Sequence, residues 1–293
     1  MNAISAILKK LRIILEMIKF EHTVFALPFA ITGAVLAADG MPSFRTIGFV
    51  LLAMVGARSS AMAFNRLVDI RYDRLNPRTA ERALPKGVLG LVEVWVFTIV
   101  SAGLLVFAAW MLNPLAFYLS PAALIVILGY SYTKRFTSLS HLVLGLALGI
   151  APVGAWIAVT GTMGFPSMVL SAAVICWTAG FDIIYALQDV EFDRKMGLFS
   201  LPKRIGEANA LLASRLLHVV TVLMLVWLGL LLHLGVVYYA GTAIVSSLLV
   251  YEQRLVAPDN LSRLNVAFFN TNGLISIIFM VCTISDLAAR KVF

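Results

Sequence analysis

Apolar runs of about 20 residues, broken by short polar or Gly/Pro-containing stretches, recur along almost the whole chain. A run of that length crosses the hydrocarbon core of a bilayer as an α-helix. The pattern therefore predicts nine spans, over 23–39, 46–69, 91–112, 114–133, 140–160, 166–189, 208–232, 235–251 and 265–285. The opening MNAISAILKKLRIILEMIKFEHT is instead amphipathic and basic, without a cleavage site, and predicts an interfacial helix over 1–22 feeding the first span. The expected fold is an all-α membrane protein, with about nine transmembrane helices around a central cavity under a cytoplasmic helical cap. Residues 1–293 are expected to form one membrane-embedded domain, with 70–90 and 190–207 as cap loops.

Composition agrees with a bilayer environment. The 293 residues are 61% hydrophobic and 13% charged, with a mean hydropathy of +0.94, more apolar surface than a soluble fold can bury. Charge adds direction, because short loops rich in Lys and Arg stay cytoplasmic. One side of the membrane would carry Lys9, Lys10, Arg12 and Lys19, the cations between Arg66 and Lys86, Lys134 and Arg135, those between Arg194 and Arg215, and Arg254 and Arg263. The opposite side has only Arg45, Arg290 and Lys291. The N-terminus is thus expected to face the cytoplasm of an inner-membrane, multi-pass protein. The net charge of +8 becomes a one-sided feature suited to anionic lipid or a phosphorylated substrate and not to nucleic acid. Cys176 and Cys282 lie in separate apolar runs without metal-binding spacing. The four histidines are scattered, and only His22, at the mouth of the first span, stands out.

Two acid-rich stretches break the apolar pattern. Asn65-x3-Asp69-x3-Asp73 and Asp182-x2-Tyr185-x2-Gln188-Asp189-x3-Asp193 each close a long apolar run. Adding 120 to positions 65, 69 and 73 gives Tyr185, Asp189 and Asp193, and an LPK triplet follows each stretch at Leu84-Pro85-Lys86 and Leu201-Pro202-Lys203. A duplicated four-helix unit with a ninth helix added would produce this echo. On a helix, Asn65, Asp69 and Asp73 fall within an arc of roughly 80°, and Asp182, Asp189 and Asp193 within roughly 40°. Helix capping and solvated loop acids account for Asp73 or Asp193 alone. They do not account for Asp69, Asp182 and Asp189 sharing faces with Asn65 and Gln188.

Clustered carboxylates near a membrane interior call for neutralising cations. Mg²⁺ takes one or two carboxylates and completes its shell with water and phosphate oxygens, so two facing ladders suit a Mg²⁺-bridged diphosphate. Arg78 and Arg82 follow the first ladder, and Lys203 and Arg204 the second, where they can close over the phosphate oxygens. Arg58, seven residues before Asn65, shares that helix face at greater depth; an aromatic carboxylate or a protein acid such as Asp182 would satisfy it. Tyr185 and Gln188 belong to the same polar wall.

These stretches, NRLVDIRYDRLNPRTAERALPKG, YSYTKR and GFDIIYALQDVEFDRKMGLFSLPKRIG, resemble the UbiA family of intramembrane aromatic prenyltransferases over nearly the whole chain. Within it the chain is most similar to the 4-hydroxybenzoate polyprenyltransferases and to enzymes prenylating a dihydroxynaphthoate in menaquinone biosynthesis. The resemblance implies a Mg²⁺-diphosphate site on Asn65, Asp69, Asp73, Asp182, Asp189 and Asp193, with Tyr130 and Lys134 as a third motif. Asp69, Asp73, Asp189 and Asp193 would hold metal. Asp182, Asp69 and Asp189 would be catalytic, and Arg58, Asn65, Arg78, Arg82, Tyr130, Lys134, Tyr185, Gln188, Lys203 and Arg204 would bind substrate. Its expected partners are a polyprenyl diphosphate, an aromatic hydroxy-acid acceptor and the lipid bilayer, and its expected product a quinone precursor. One departure stands out: Arg66 follows Asn65 where many family members carry Asp.

Other classes fit less well. An ion-coupled transporter favours single acids at mid-membrane in broken helices. Soluble prenyl diphosphate synthases carry paired Asp motifs in far more polar chains, and the DGxxAR signature of CDP-alcohol phosphatidyltransferases is absent.

Overall fold

The computed structural model describes residues 10, 12–18, 25–258 and 260–291. His22, Lys9, Lys19 and most of the expected interfacial helix lie outside them. The described part of that segment, helical over 12–17, places Met17 and Ile18 against Ala63, Leu67, Leu84, Leu89 and Val94. One face of this amphipathic segment is thus buried on protein, while Arg12 stays exposed.

Nine principal helices stand at the nine predicted positions: α1 (Leu27–Ala37), α2 (Phe44–Leu75), α3 (Leu91–Leu112), α4 (Pro114–Gly129), α5 (Ser140–Thr160), α6 (Phe165–Ala186), α9 (Glu207–Leu231), α10 (Val236–Arg254) and α11 (Asn272–Arg290). The short α7 (Val190–Met196) and α8 (Leu201–Ile205) follow α6. Among the described residues, seven segments are long and apolar enough to cross a membrane. The other two differ for identifiable reasons. Helix α1 has only 11 described residues, and α10 carries the polar residues Thr242, Ser246, Ser247, Glu252 and Gln253 along its length. The chain is a multi-pass, all-helical membrane protein.

Helices α1 to α4 are followed by α5, α6, α9 and α10, with α11 added, an order compatible with the echo in the sequence. The two acid ladders lie at the ends of α2 and α6. Helix α6 is the most enclosed span. Trp177 and Phe181 pack with Phe29, Leu225 and Phe279 in the main core. At Gly145 on α5 a Cβ would stand 2.5 Å from the Ile175 carbonyl oxygen of α6, so only glycine permits that backbone approach. Outward positions such as Val92, Val96, Ile99 and Val100 on α3 are more than half exposed, a surface suited to lipid chains.

Away from the ladders, Asp286 of α11 supports the far end of the bundle. Its carboxylate accepts from Gly235 N at 2.7 Å and Tyr238 N at 3.1 Å, satisfying amides at the start of α10. Asp286→Ala leaves those donors unpaired and should destabilise the protein by about 1–3 kcal/mol. Thermal unfolding in detergent will read this as a lowered midpoint, and an unchanged midpoint would refute the capping role.

Candidate active site

Two irregular helix ends shape the site. Helix α4 tightens into a 3-10 turn over Tyr130–Arg135. Helix α6 does the same over Leu187–Asp189 before α7 resumes. The Gln188 side chain donates to the Tyr185 carbonyl at 2.8 Å, meeting a backbone acceptor at this break. A 3-10 turn advances about 120° per residue instead of about 100°, so Asp182 and Asp189 are rotated apart relative to the single stripe expected of a continuous helix. Between these ends and α2 lies an open cavity of about 210 Å³.

Five carboxylates line it, from Asp69, Asp73, Asp182, Asp189 and Asp193, and so do five cationic side chains, from Arg66, Arg78, Arg82, Lys134 and Arg135. The pairings are specific. Arg82 Nη1 donates to both Asp73 oxygens at 2.9 and 2.8 Å, and Arg78 grips Asp189 through Nε and Nη2 at 2.8–3.2 Å. Arg135 Nη2 reaches Asp69 Oδ1 at 3.3 Å, and Asn65 Nδ2 donates to Asp69 Oδ2 at 2.9 Å. Lys134 lies within the electrostatic reach of Asp193, Asp182, Asp189 and Asp69. Spacing alone suggested that the ladders await an external cation, but arginines already meet most of that charge. Among the described residues no three acidic, His or Cys side chains converge as a ready-made metal cage.

One acceptor remains unmatched. Asp193 is 1% exposed, and its Oδ2 has no hydrogen-bond donor among the described residues. The hydroxyls of Ser131 and Ser140 in the same wall are likewise without partners. Three buried polar atoms at a cavity wall mark a place prepared for a polar ligand.

Of the expected site residues, Asn65, Asp69, Asp73, Arg78, Arg82, Tyr130, Lys134, Asp182, Tyr185, Asp189 and Asp193 are brought together on the cavity wall. Arg58, Gln188, Lys203 and Arg204 are not. Arg58 stands behind Tyr130, with which it interacts electrostatically. Lys203 donates to the Asp193 and Leu198 carbonyls, and Arg204 donates to Ser138 Oγ at 3.0 Å, so both brace the 198–204 segment instead of reaching inward. Of the four cations expected to close over the phosphate, Arg78 and Arg82 line the cavity.

Sequence reasoning missed three contributors. Arg135 was taken only as a topological charge, yet its guanidinium lies 5.0 Å from the Tyr132 ring and 5.4 Å from that of Tyr72 while holding Asp69. The adjacency of Lys134 and Arg135 at a span end was the available signal. Arg66, the departure from the family pattern, is buried and donates to Asn65 Oδ1 at 3.2 Å. His141, passed over as scattered, holds Asp182 at 2.7 Å; no local motif announces it. On the apolar side, the Tyr185 ring stacks on Phe268 with centroids 4.1 Å apart, and a π-helix over Val266–Thr271 supplies that phenylalanine.

Comparison with known proteins agrees with this arrangement. The model of the UbiA prenyltransferase family matches residues 26–274. The chain belongs to this family. The 4-hydroxybenzoate octaprenyltransferase of Tolumonas auensis is 32% identical over 83% of the chain and 85% of the relative, and that of Vibrio parahaemolyticus is 35% identical over 81% and 84%. Among solved structures, the apo UbiA homolog from Aeropyrum pernix K1 superposes with a TM-score of 0.83 at 34% identity, covering 91% of this chain and 98% of that one. A UbiA homolog from Archaeoglobus fulgidus bound to DMAPP and Mg²⁺ shares the fold, with a TM-score of 0.72 at 20% identity over 93% and 99%.

The acid–arginine pairs are testable within the UbiA fold. A double-mutant cycle on Asp73→Asn and Arg82→Gln, read by thermal unfolding without divalent cations, should give a coupling energy of about 1 kcal/mol. Additive effects would show that the pair is incidental.

Proposed function

We propose that this UbiA-family chain transfers a polyprenyl group from a polyprenyl diphosphate to an aromatic hydroxy acid, 4-hydroxybenzoate in the first instance, in quinone biosynthesis. Residues 1–293 act as one membrane-embedded unit in the inner membrane, with 70–90 and 190–207 capping the cytoplasmic mouth. The observation that carries this reading is the cavity where the ends of α2 and α6 meet, walled by matched acids and cations with one buried carboxylate oxygen unpartnered among the described residues. The activity of the octaprenyltransferase relatives supports the choice of acceptor.

The donor set suits Mg²⁺. Two pairs of carboxylates, Asp69 with Asp73 and Asp189 with Asp193, face one cavity, and Asp193 Oδ2 lacks a donor. A metal that takes few protein oxygens and completes its shell from a diphosphate needs no three-acid cage. Bound Mg²⁺ would supply positive charge beside the departing diphosphate. Asp73 and Asp189 would help to hold the metal, and Arg82, Arg78 and Lys134 would supply the positive charge for the phosphate oxygens.

Chemically, the allylic C–O bond breaks and its electron pair leaves with the diphosphate. The ring carbon of the acceptor then forms the new C–C bond to the prenyl C1, and the proton on that carbon departs. Asp182, in the cavity wall opposite α2, accepts that proton. The stacked Tyr185 and Phe268 rings present π faces that shield a developing allylic cation from water.

Membranes carrying the protein should prenylate 4-hydroxybenzoate in Mg²⁺ and lose the activity in EDTA. Asp69→Ala and Asp189→Ala should each lower turnover about 100-fold or more. Supplying 1,4-dihydroxy-6-naphthoate in competition identifies the acceptor from product mass. Metal-independent transfer, or full activity in both variants, would overturn the proposed site.

A further inference from the structure

We infer that His141 is the positioning residue for Asp182, and that it couples this carboxylate to the 198–204 segment capping the cavity. His141 occupies the first turn of α5 and is 1% exposed. Its Nδ1 lies 2.7 Å from Asp182 Oδ2, and its Nε2 receives the Leu201 amide at 3.3 Å. The tautomer follows from these partners. A backbone N–H can only donate, so Nε2 presents its lone pair and the ring hydrogen of the neutral imidazole sits on Nδ1. That hydrogen points at Asp182, which accepts it as a carboxylate.

Two consequences follow. The bond occupies Oδ2, and among the described residues no donor engages Oδ1, so this oxygen remains for the ligand in the cavity that Asp182 lines. The second consequence concerns the cap. Leu201 opens α8, directly before Pro202 and Lys203, and Lys203 Nζ donates to the carbonyls of Asp193 and Leu198. Movement of the 198–204 segment therefore acts on Asp182 through one imidazole and on Asp193 through one ammonium. A single element registers both ends of the second ladder. The role rests on the prenyl-transfer reading above, in which Asp182 serves the aromatic acceptor and not the diphosphate.

The test separates position from mere packing. His141→Ala should lower kcat about 100-fold, the scale expected when a reacting group is misplaced by about 1 Å, and leave KM for the prenyl diphosphate within about twofold. His141→Asn keeps an N–H donor near the Nδ1 position and should recover most of the lost turnover. His141→Gln, whose amide oxygen can meet only the Leu201 side, should recover little. Full activity in the alanine variant, or failure of asparagine to rescue at equal membrane yield, would overturn the inference. A second measurement is independent of turnover and hence of the prenyl-transfer reading. Nitrogen-15 NMR of histidine-labelled protein in liposomes, assigned by the signal lost in His141→Asn, should show His141 protonated on Nδ1 alone. Protonation on Nε2 would refute the geometry even if the enzyme proved to use other substrates.

Discussion

Carboxylates at the end of a membrane span call for neutralising or hydrogen-bonding partners, and this constraint organises the molecule. Five acids and five cations share one cavity wall. Each ion taken from water costs several kcal/mol, and hydrogen-bonded pairing offsets that cost. Arg78 supplies it through two nitrogens on Asp189, and Arg82 through one nitrogen shared between both Asp73 oxygens. In the proposed reading, a metal-bound diphosphate would bring both signs of charge and so could replace each internal pair without leaving an ion bare.

The bundle serves this arrangement by bringing two helix ends to one cavity. Helices α2 and α6 are both followed by basic segments whose side chains turn back over the acids or brace their backbone. The 3-10 turns at Tyr130–Arg135 and Leu187–Asp189 then adjust direction, spreading the acids around a space instead of stacking them along one stripe. Beneath them, Tyr185, Phe268, Phe25 and Phe181 form an aromatic floor with centroid separations of 4.1–6.0 Å.

Much of this was legible in the sequence because it rests on local periodicity. The nine apolar runs match nine helices among the described residues, and the spacing put the ladders at the ends of α2 and α6. Asp69, Asp73, Asp189 and Asp193 were identifiable because their spacing alone puts them at one end of a span. What spacing could not reveal was pairing across the fold. The partners of Asp69 and Asp182 are 66 and 41 residues away, at Arg135 and His141. Lys203 and Arg204 looked like lid residues from their position in a loop, but backbone carbonyls and Ser138 claim them once the 198–204 segment folds.

The central claim is that internal arginine–carboxylate pairs yield to a metal-bound diphosphate. Its most direct test is equilibrium binding of a non-hydrolysable thiolo analogue of a prenyl diphosphate to the purified protein, with and without Mg²⁺. The account predicts that the analogue binds tightly only when Mg²⁺ is present, and that Asp73→Asn and Asp193→Asn each weaken this metal-dependent binding. Equal affinity in EDTA, undiminished by those substitutions, would contradict it.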